Sequence, residues 1–181
     1  MIEIFPYQTS DAEELLRIYT PYILQTAITF ETSVPGIDDW MERIEKVNKE
    51  FPWLVAKSDG RILGYAYATR FRERKAYDWC CESSVYLKEE FHGNGVAQEL
   101  YNQLFDLLKQ QGYLNVYAIM TSPNPKSEKF HQSFGFYDVG RFAKSGYKLG
   151  SWWDTHWMQF HLGEHENPPK KIIPFSELKF D

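Results

Sequence analysis

Ser84-Val85-Tyr86-Leu87-Lys88-Glu89-Glu90-Phe91-His92-Gly93-Asn94-Gly95-Val96-Ala97 is the stretch whose reading decides the fold. An apolar, β-type run ends at Leu87 and a short acidic segment follows. A glycine-punctuated turn then opens directly into a helix with apolar periodicity. Glycines at such a junction let the backbone bend with φ > 0 and leave N–H groups uncovered. The first amides of the helix point the same way, and the helix dipole adds positive potential there. Such a place binds phosphate or pyrophosphate without needing a lysine, which implies a phosphorylated cofactor. No Gly-Lys-Ser/Thr follows, so the turn is not a P-loop, and its spacing is not the GxGxxG dinucleotide fingerprint.

Working outward, the strand before the turn reads as Tyr77 to Leu87, and the helix after it as Gly95 to about Gln111. That helix carries Ala97, Leu100, Tyr101, Leu104 and Leu108 on one face, and Gly112 stops it. Upstream, Trp53 to Ala56 and Ile62 to Ala68 read as strands joined by Asp59-Gly60, a hairpin signal. Arg70 to Lys75 is a basic connection. Ile2 to Pro6 reads as a first strand, and Ser10-Asp-Ala-Glu13 as a capping box for a helix through Ile23. A second helix starts near Asp38, after an irregular polar and aromatic segment, Ala27 to Gly36, suited to a loop over a site. Downstream come a short strand from Val116 to Met120 and a turn at Pro123-Asn-Pro125. A helix then runs to about Phe134, and strand-like runs follow near Val139 to Phe142 and Trp152 to His161. Trp152, Trp153, Trp157 and Phe160 read as core packing. This order of elements predicts an α/β chain: a mixed sheet with helices on both faces, and the turn at the carboxyl end of a strand.

The 181 residues fit one domain, read as 1–161, with a proline-containing, charged tail over 162–181 that packs on the domain or on a dimer partner. A formal net charge of -5 without any Lys/Arg run argues against a nucleic-acid surface. The start of the chain reads as neither a signal peptide nor a membrane span, since Glu3 and Pro6 interrupt Met1 to Tyr7. The two cysteines, Cys80 and Cys81, are neighbours that point to opposite faces of a strand. They are a poor disulfide pair, and a reducing cytoplasm is the natural compartment.

Glu82 lies amid aromatics in the strand before the turn. If it is buried, desolvation raises its pKa, as a general base for an ammonium substrate requires. If it faces an edge, it is an ordinary solvated glutamate. One of Arg70, Arg72, Arg74 and Lys75 offers a clamp for a substrate carboxylate, the alternative being a solvated basic loop. Asn124 suits a helix cap, a cofactor contact, or both. His131 is either a proton donor to a leaving thiolate or a plain helix-surface histidine. His161-Leu-Gly-Glu164-His165 matches a zinc-protease pattern that needs a helix. Gly163 and Asn167-Pro168-Pro169 oppose one, so no metal site is expected.

The spacing of the turn resembles the acyl-CoA motif Gln/Arg-x-x-Gly-x-Gly/Ala of the GCN5-related N-acetyltransferases. Gly95 and Ala97 fill its last positions, and His92 replaces the usual first residue. A closer resemblance runs from about Phe30 to Gln159. Phe51-Pro-Trp-Leu-Val-Ala, Gly64-Tyr-Ala-Tyr67, Ala76-Tyr-Asp-Trp79, Glu82-Ser-Ser-Val-Tyr86, Pro123-Asn124 and Gly146-Tyr-Lys148-Leu-Gly150-Ser-Trp152-Trp-Asp154 are similar to the phosphinothricin and methionine sulfoximine N-acetyltransferases. That resemblance implies the GCN5-related fold, with a mixed, mostly antiparallel sheet. It also implies acetyl-CoA as donor, direct transfer to a small amino-acid-like amine in a ternary complex, and a homodimer. It puts Glu82 in place as base and His131 where a tyrosine acid is common. Val85, Tyr86 and Leu87, the turn Gly93, Asn94, Gly95, Val96, Ala97 and Gln98, and Asn124 would lie on the cofactor. Phe30, Arg74, Lys75 and Tyr77 would lie near the substrate. Two rivals remain: an acyl-CoA sensor without catalysis, which steady thiol release would exclude, and an acetyltransferase of peptide or protein amines, which a peptide assay would decide.

Overall fold

The computed structural model describes residues 1–179. Seven strands form one sheet: Glu3–Pro6 (β1), Trp53–Ser58 (β2), Arg61–Arg70 (β3), Cys80–Leu87 (β4), Asn115–Ser122 (β5), Tyr137–Lys148 (β6) and Ser151–His161 (β7). Their order is β1-β2-β3-β4-β5-β7-β6, with β4 and β5 parallel and every other pair antiparallel. Four helices cover it: Ala12–Gln25 (α1), Ile37–Glu50 (α2), Val96–Gln111 (α3) and Pro125–Ser133 (α4). The expected mixed, mostly antiparallel sheet with helices on both faces is present.

The two-residue side-chain period of the central strands divides the core. Trp53, Val55 and Tyr65 point to α1 and α2, where they meet Leu15, Ile18, Tyr19, Trp40 and Ile44. Leu54, Ala56, Ala66 and Ala68 point to α3, whose Leu100, Tyr101, Leu104 and Leu108 are fully buried. Phe130 of α4 and Phe134, just after its end, pack against this second cluster. The Asp59-Gly60 hairpin turn has φ of 49° and 73°, the left-handed pair that matches strand twist.

Three local expectations are corrected. The helix start is not the box Ser10 to Glu13. Thr9–Asp11 form one 3-10 turn, the buried Asp11 carboxylate accepts the Gln8 N–H at 3.2 Å and the Lys57 ammonium at 2.7 Å, and α1 begins at Ala12. The strand expected from Tyr77 begins only at Cys80. Lys75–Tyr77 form a 3-10 turn, pinned where Asp78 pairs with Arg70 at 3.0 Å. Trp152 is 62% exposed, and Trp153 and Trp157 are only partly buried, so those aromatics are not simply core.

His161 ends β7, and His165 lies in irregular chain beyond it, so the H-x-x-E-H pattern is not on a helix. The following segment packs on its own domain. Trp79 donates to the Lys170 carbonyl at 2.6 Å, Gln111 donates its side-chain amide to Ile173 at 2.8 Å, and Phe175 is buried. Among the described residues, no helix is long and apolar enough to cross a membrane.

Gly64 of β3 lies opposite Leu87 of β4. A Cβ there would sit 2.5 Å from the Tyr86 carbonyl oxygen and 2.9 Å from Leu87 Cα. Gly64→Ala should therefore lower stability by about 1–3 kcal/mol in urea unfolding. An unchanged midpoint would show that β3 and β4 separate there without cost.

Candidate active site

β4 and β5 pair only over Cys80–Glu82 and Asn115–Tyr117. Beyond Glu82, β4 continues to Leu87 bound to β3 alone, and β5 continues to Ser122 bound to β7 alone. The strands part, and a cleft opens between them. Ser83 to Tyr86 form one wall, Ala118 to Met120 the other, and Ile28, Tyr101, Asn124 and His131 border it. A strand bonded on one side leaves alternate N–H and C=O groups facing the gap, and these need a partner. The expected cofactor residues Val85 and Tyr86 lie here. Leu87 is buried at the end of the wall.

The glycine turn follows. Gly93 and Gly95 both have φ of 80°, the left-handed region where a side chain is strained. Gly95 caps α3 without any side-chain bond, and the first backbone bond of the helix runs from Glu99 N–H to the Gly95 carbonyl at 3.1 Å. Among the described residues, the amides of Val96, Ala97 and Gln98 are left without a backbone acceptor. Asn94 is tied locally, donating to Phe91 and Glu90 carbonyls at 3.4 Å. Three free donors at the positive end of a 16-residue helix fit a diphosphate. His92 does not hang free at the turn. Tyr22 donates its hydroxyl to the Leu87 carbonyl at 2.6 Å, so the 2.9 Å contact to His92 Nε2 must be the imidazole N–H donating to the phenol oxygen.

Glu82 stands at the fork. It is opposite Tyr117, and its carboxylate lies 3.5 Å from the Arg72 guanidinium. Burial pushes its pKa above the ordinary carboxylate range, and Arg72 opposes that shift. Arg72 lies over the rings of Phe71 and Trp157, at 4.4 and 5.2 Å. Phe71 in turn stacks on Tyr117 at 4.2 Å and meets the edge of Tyr77 at 5.7 Å. An aromatic-walled space with one base and one cation surrounds Glu82. Tyr77 belongs to it. Arg74 and Lys75 are exposed on the adjoining 3-10 turn and form no ion pair among the described residues. Phe30 rests elsewhere, against Gly146.

Asn124 does two things at once. Its side chain accepts the Ser127 N–H at 3.2 Å, capping α4, and it borders the cleft. His131 is no surface histidine, being 5% exposed. Its Nδ1 lies 2.8 Å from the Ser127 carbonyl, which can only accept, so the ring proton is on Nδ1. Nε2 then accepts from the Tyr101 hydroxyl at 3.2 Å. Burial pushes the His131 pKa down to about 4, leaving the ring neutral at neutral pH. Beneath α4, the buried His156 bonds Asp138 at 2.6 Å and faces Glu128 at 3.4 Å, fixing the helix to β6 and β7. Sequence reasoning took Tyr101 for a core residue and did not single out Ile28 or Tyr22. Only the parting of the strands reveals them.

The sequence profile of the acetyltransferase (GNAT) domain matches residues 5–157. The chain belongs to this family. It is an N-acetyltransferase similar to the phosphinothricin N-acetyltransferase of Streptomyces viridochromogenes, at 31% identity over 98% of this chain and 96% of that one. The L-methionine sulfoximine/L-methionine sulfone acetyltransferase of Salmonella typhimurium is 28% identical over 88% and 94% of the two chains. A solved GNAT-superfamily phosphinothricin acetyltransferase from Sinorhizobium meliloti, in complex with AcCoA, matches with a TM-score of 0.88. It is 28% identical over 97% of each chain.

The buried, neutral His131 gives this N-acetyltransferase a measurable acid sensitivity. The native imidazole takes a proton near 4 and the unfolded one near 6.5, so the unfolded state binds more protons as pH falls through that window. The loss by about pH 4.5 is roughly 2–3 kcal/mol. His131→Gln should lose correspondingly less stability between pH 7 and about 4.5 in urea titrations. Parallel losses in both proteins would show that His131 is not neutral in the fold.

Proposed function

We propose that this N-acetyltransferase uses acetyl-CoA to acetylate the primary amine of a small, amino-acid-like substrate, by direct transfer with both reactants bound. The observation that carries the reading is the position of Glu82, at the point where β4 leaves β5. The cleft beyond it suits the pantetheine arm, with the walls Val85 to Leu87 and the side chain of Asn124 alongside. The turn Gly93 to Gln98 suits the diphosphate. Acetyl-CoA, when bound, supplies a thioester acyl group, and the residues of the chain supply the rest. The free edge of β4 offers N–H donors of the kind that stabilise developing negative charge on an acyl oxygen. Glu82, half-buried and raised in pKa, takes a proton from the ammonium, directly or through water. His131, neutral and with its ring proton on Nδ1, accepts from the Tyr101 hydroxyl at the cleft border and holds it in place; the proton that the leaving thiolate takes up is the second one given up by the attacking nitrogen. Holding both reactants at the fork supplies the proximity term.

The names of the relatives and the aromatic surroundings of Glu82 support a phosphinothricin, methionine sulfoximine or methionine sulfone type of substrate. Tyr77 and Phe71 suit an alkyl stem. Arg74 and Lys75, exposed and without ion pairs among the described residues, suit the α-carboxylate. The exposed rings of Phe142, Tyr147 and Trp152 on the β6–β7 hairpin support a homodimer, and the two free cysteines suit a cytoplasmic setting.

Two measurements test this. Thiol release should be seen with methionine sulfone or methionine sulfoximine, and be much weaker with the decarboxylated analogue. Arg74→Ala should narrow that preference by about 1.5–3 kcal/mol, the worth of a charge-assisted bond. Equal rates for amino acid and simple amine would sink the substrate class. The second concerns pH. The ionised base is required, so kcat/KM should rise through a pKa above the ordinary carboxylate range. Arg72 favours the carboxylate form, so Arg72→Met should move that acid limb to higher pH. A limb that stays put, or moves down, would remove Glu82 from the role of base.

A further inference from the structure

The loop joining α1 to α2, residues 26–36, crosses the ends of β5 and β6, and its Ile28 forms part of the cleft wall. Such a loop carries backbone carbonyls that need donors. Here the donors are side chains of the sheet. Thr121 of β5 donates to the Ala27 carbonyl. Lys148, the last residue of β6, donates its ammonium to the Thr29 carbonyl at 2.6 Å and reaches the Tyr22 carbonyl, in the last turn of α1, at 3.4 Å. The Tyr19 hydroxyl and Thr29 Oγ1 lie 2.7 Å apart behind them. Two residues before Lys148, Gly146 receives the Phe30 ring. A Cβ at Gly146 would lie 2.8 Å from Phe30 Cδ2 and closer still to two further ring carbons.

Lys148 is a costly residue for this position. It is 4% exposed, and among the described residues no carboxylate lies within ion-pair distance of it. An ammonium taken out of water loses several kcal/mol of hydration unless close acceptors replace it. Here two carbonyls do so, one of them at a helix C-terminus, where a cation is favoured. A plain packing role would be met better by leucine or methionine. The charge is explained by what it holds.

We propose that Lys148 is a positioning residue for the cleft between β4 and β5. Together with Gly146 it fixes the loop that carries Ile28 and Phe30, so that the pantetheine arm meets a preformed wall at Ile28. The part concerning acetyl-CoA rests on the function proposed above; the anchoring of the loop does not.

The test compares wild type with Lys148→Met, which keeps the length and removes the donors. Hydrogen exchange of amides in residues 27–34 should become faster, while that of β2, β3 and α3 stays as in wild type. With methionine sulfone as acceptor, KM for acetyl-CoA should rise about tenfold or more, the equivalent of about 1.4 kcal/mol. KM for the amine should stay within about twofold of wild type by the same scale. Unchanged exchange in the loop would overturn the proposal. So would faster exchange with an unchanged acetyl-CoA KM, or with both KM values moving together. Gly146→Ala provides a second variant should Lys148→Met not fold. It keeps the lysine, displaces Phe30, and should raise the acetyl-CoA KM alone. If wild type acetylates no amine of this class, the function proposed above fails, and loop exchange by itself decides whether Lys148 anchors the wall.

Discussion

Everything in this molecule turns on a short ladder: three residues of β4 paired with three of β5, and then no more. Parallel strands normally continue their pairing, because each unpaired amide or carbonyl that leaves water must find another partner. Here β3 and β7 hold the two strands on diverging courses, and the peptide groups between them stay open. The cleft is therefore a fault that the sheet is built to keep, and an elongated polar ligand can complete it. The glycine turn lies just beyond the same strand, so one ligand with an amide-bearing arm and a diphosphate would satisfy both sets of donors.

The surroundings stabilise this arrangement from all sides. Tyr22 ties α1 to the end of β4 and to His92 at once. His156 and its carboxylate neighbours hold α4 to β6 and β7, which fixes Asn124 and His131 along the far border. Arg72 moderates Glu82 while lying on two aromatic rings, so the carboxylate is raised in pKa without being left uncompensated. None of these contacts alone is large. Together they hold donors, the Glu82 carboxylate and walls in one geometry, which is what the proposed proximity catalysis requires.

What the sequence revealed was local. The turn at Gly93 and Gly95, the Asp59-Gly60 hairpin and the apolar face of α3 each declare themselves within a few residues. Glu82 was legible because a carboxylate among aromatics in a strand demands explanation. What stayed hidden depends on contacts distant in the chain. The length of the β4–β5 ladder is a matter of register, which no single strand encodes. His131 read equally as surface or site until Tyr101 and the Ser127 carbonyl were seen to enclose it. Lys148 stands in the sequence only as part of the Gly146 to Asp154 resemblance, and the loop folded over it shows why it is charged. Tyr77 to Trp79 looked like strand because the rings of Tyr77 and Trp79 suit one. The Arg70–Asp78 pair turns the chain first.

The central claim is that the parted strands and the glycine turn together hold acyl-CoA. Amide chemical shifts during titration of the protein with CoA test it most directly. The account predicts saturable shifts concentrated on Ser83 to Leu87 and on Gly93 to Gln98, with the amides of β1 and β2 undisturbed. Saturable binding that leaves both stretches unmoved, or no saturable binding at all, would contradict it.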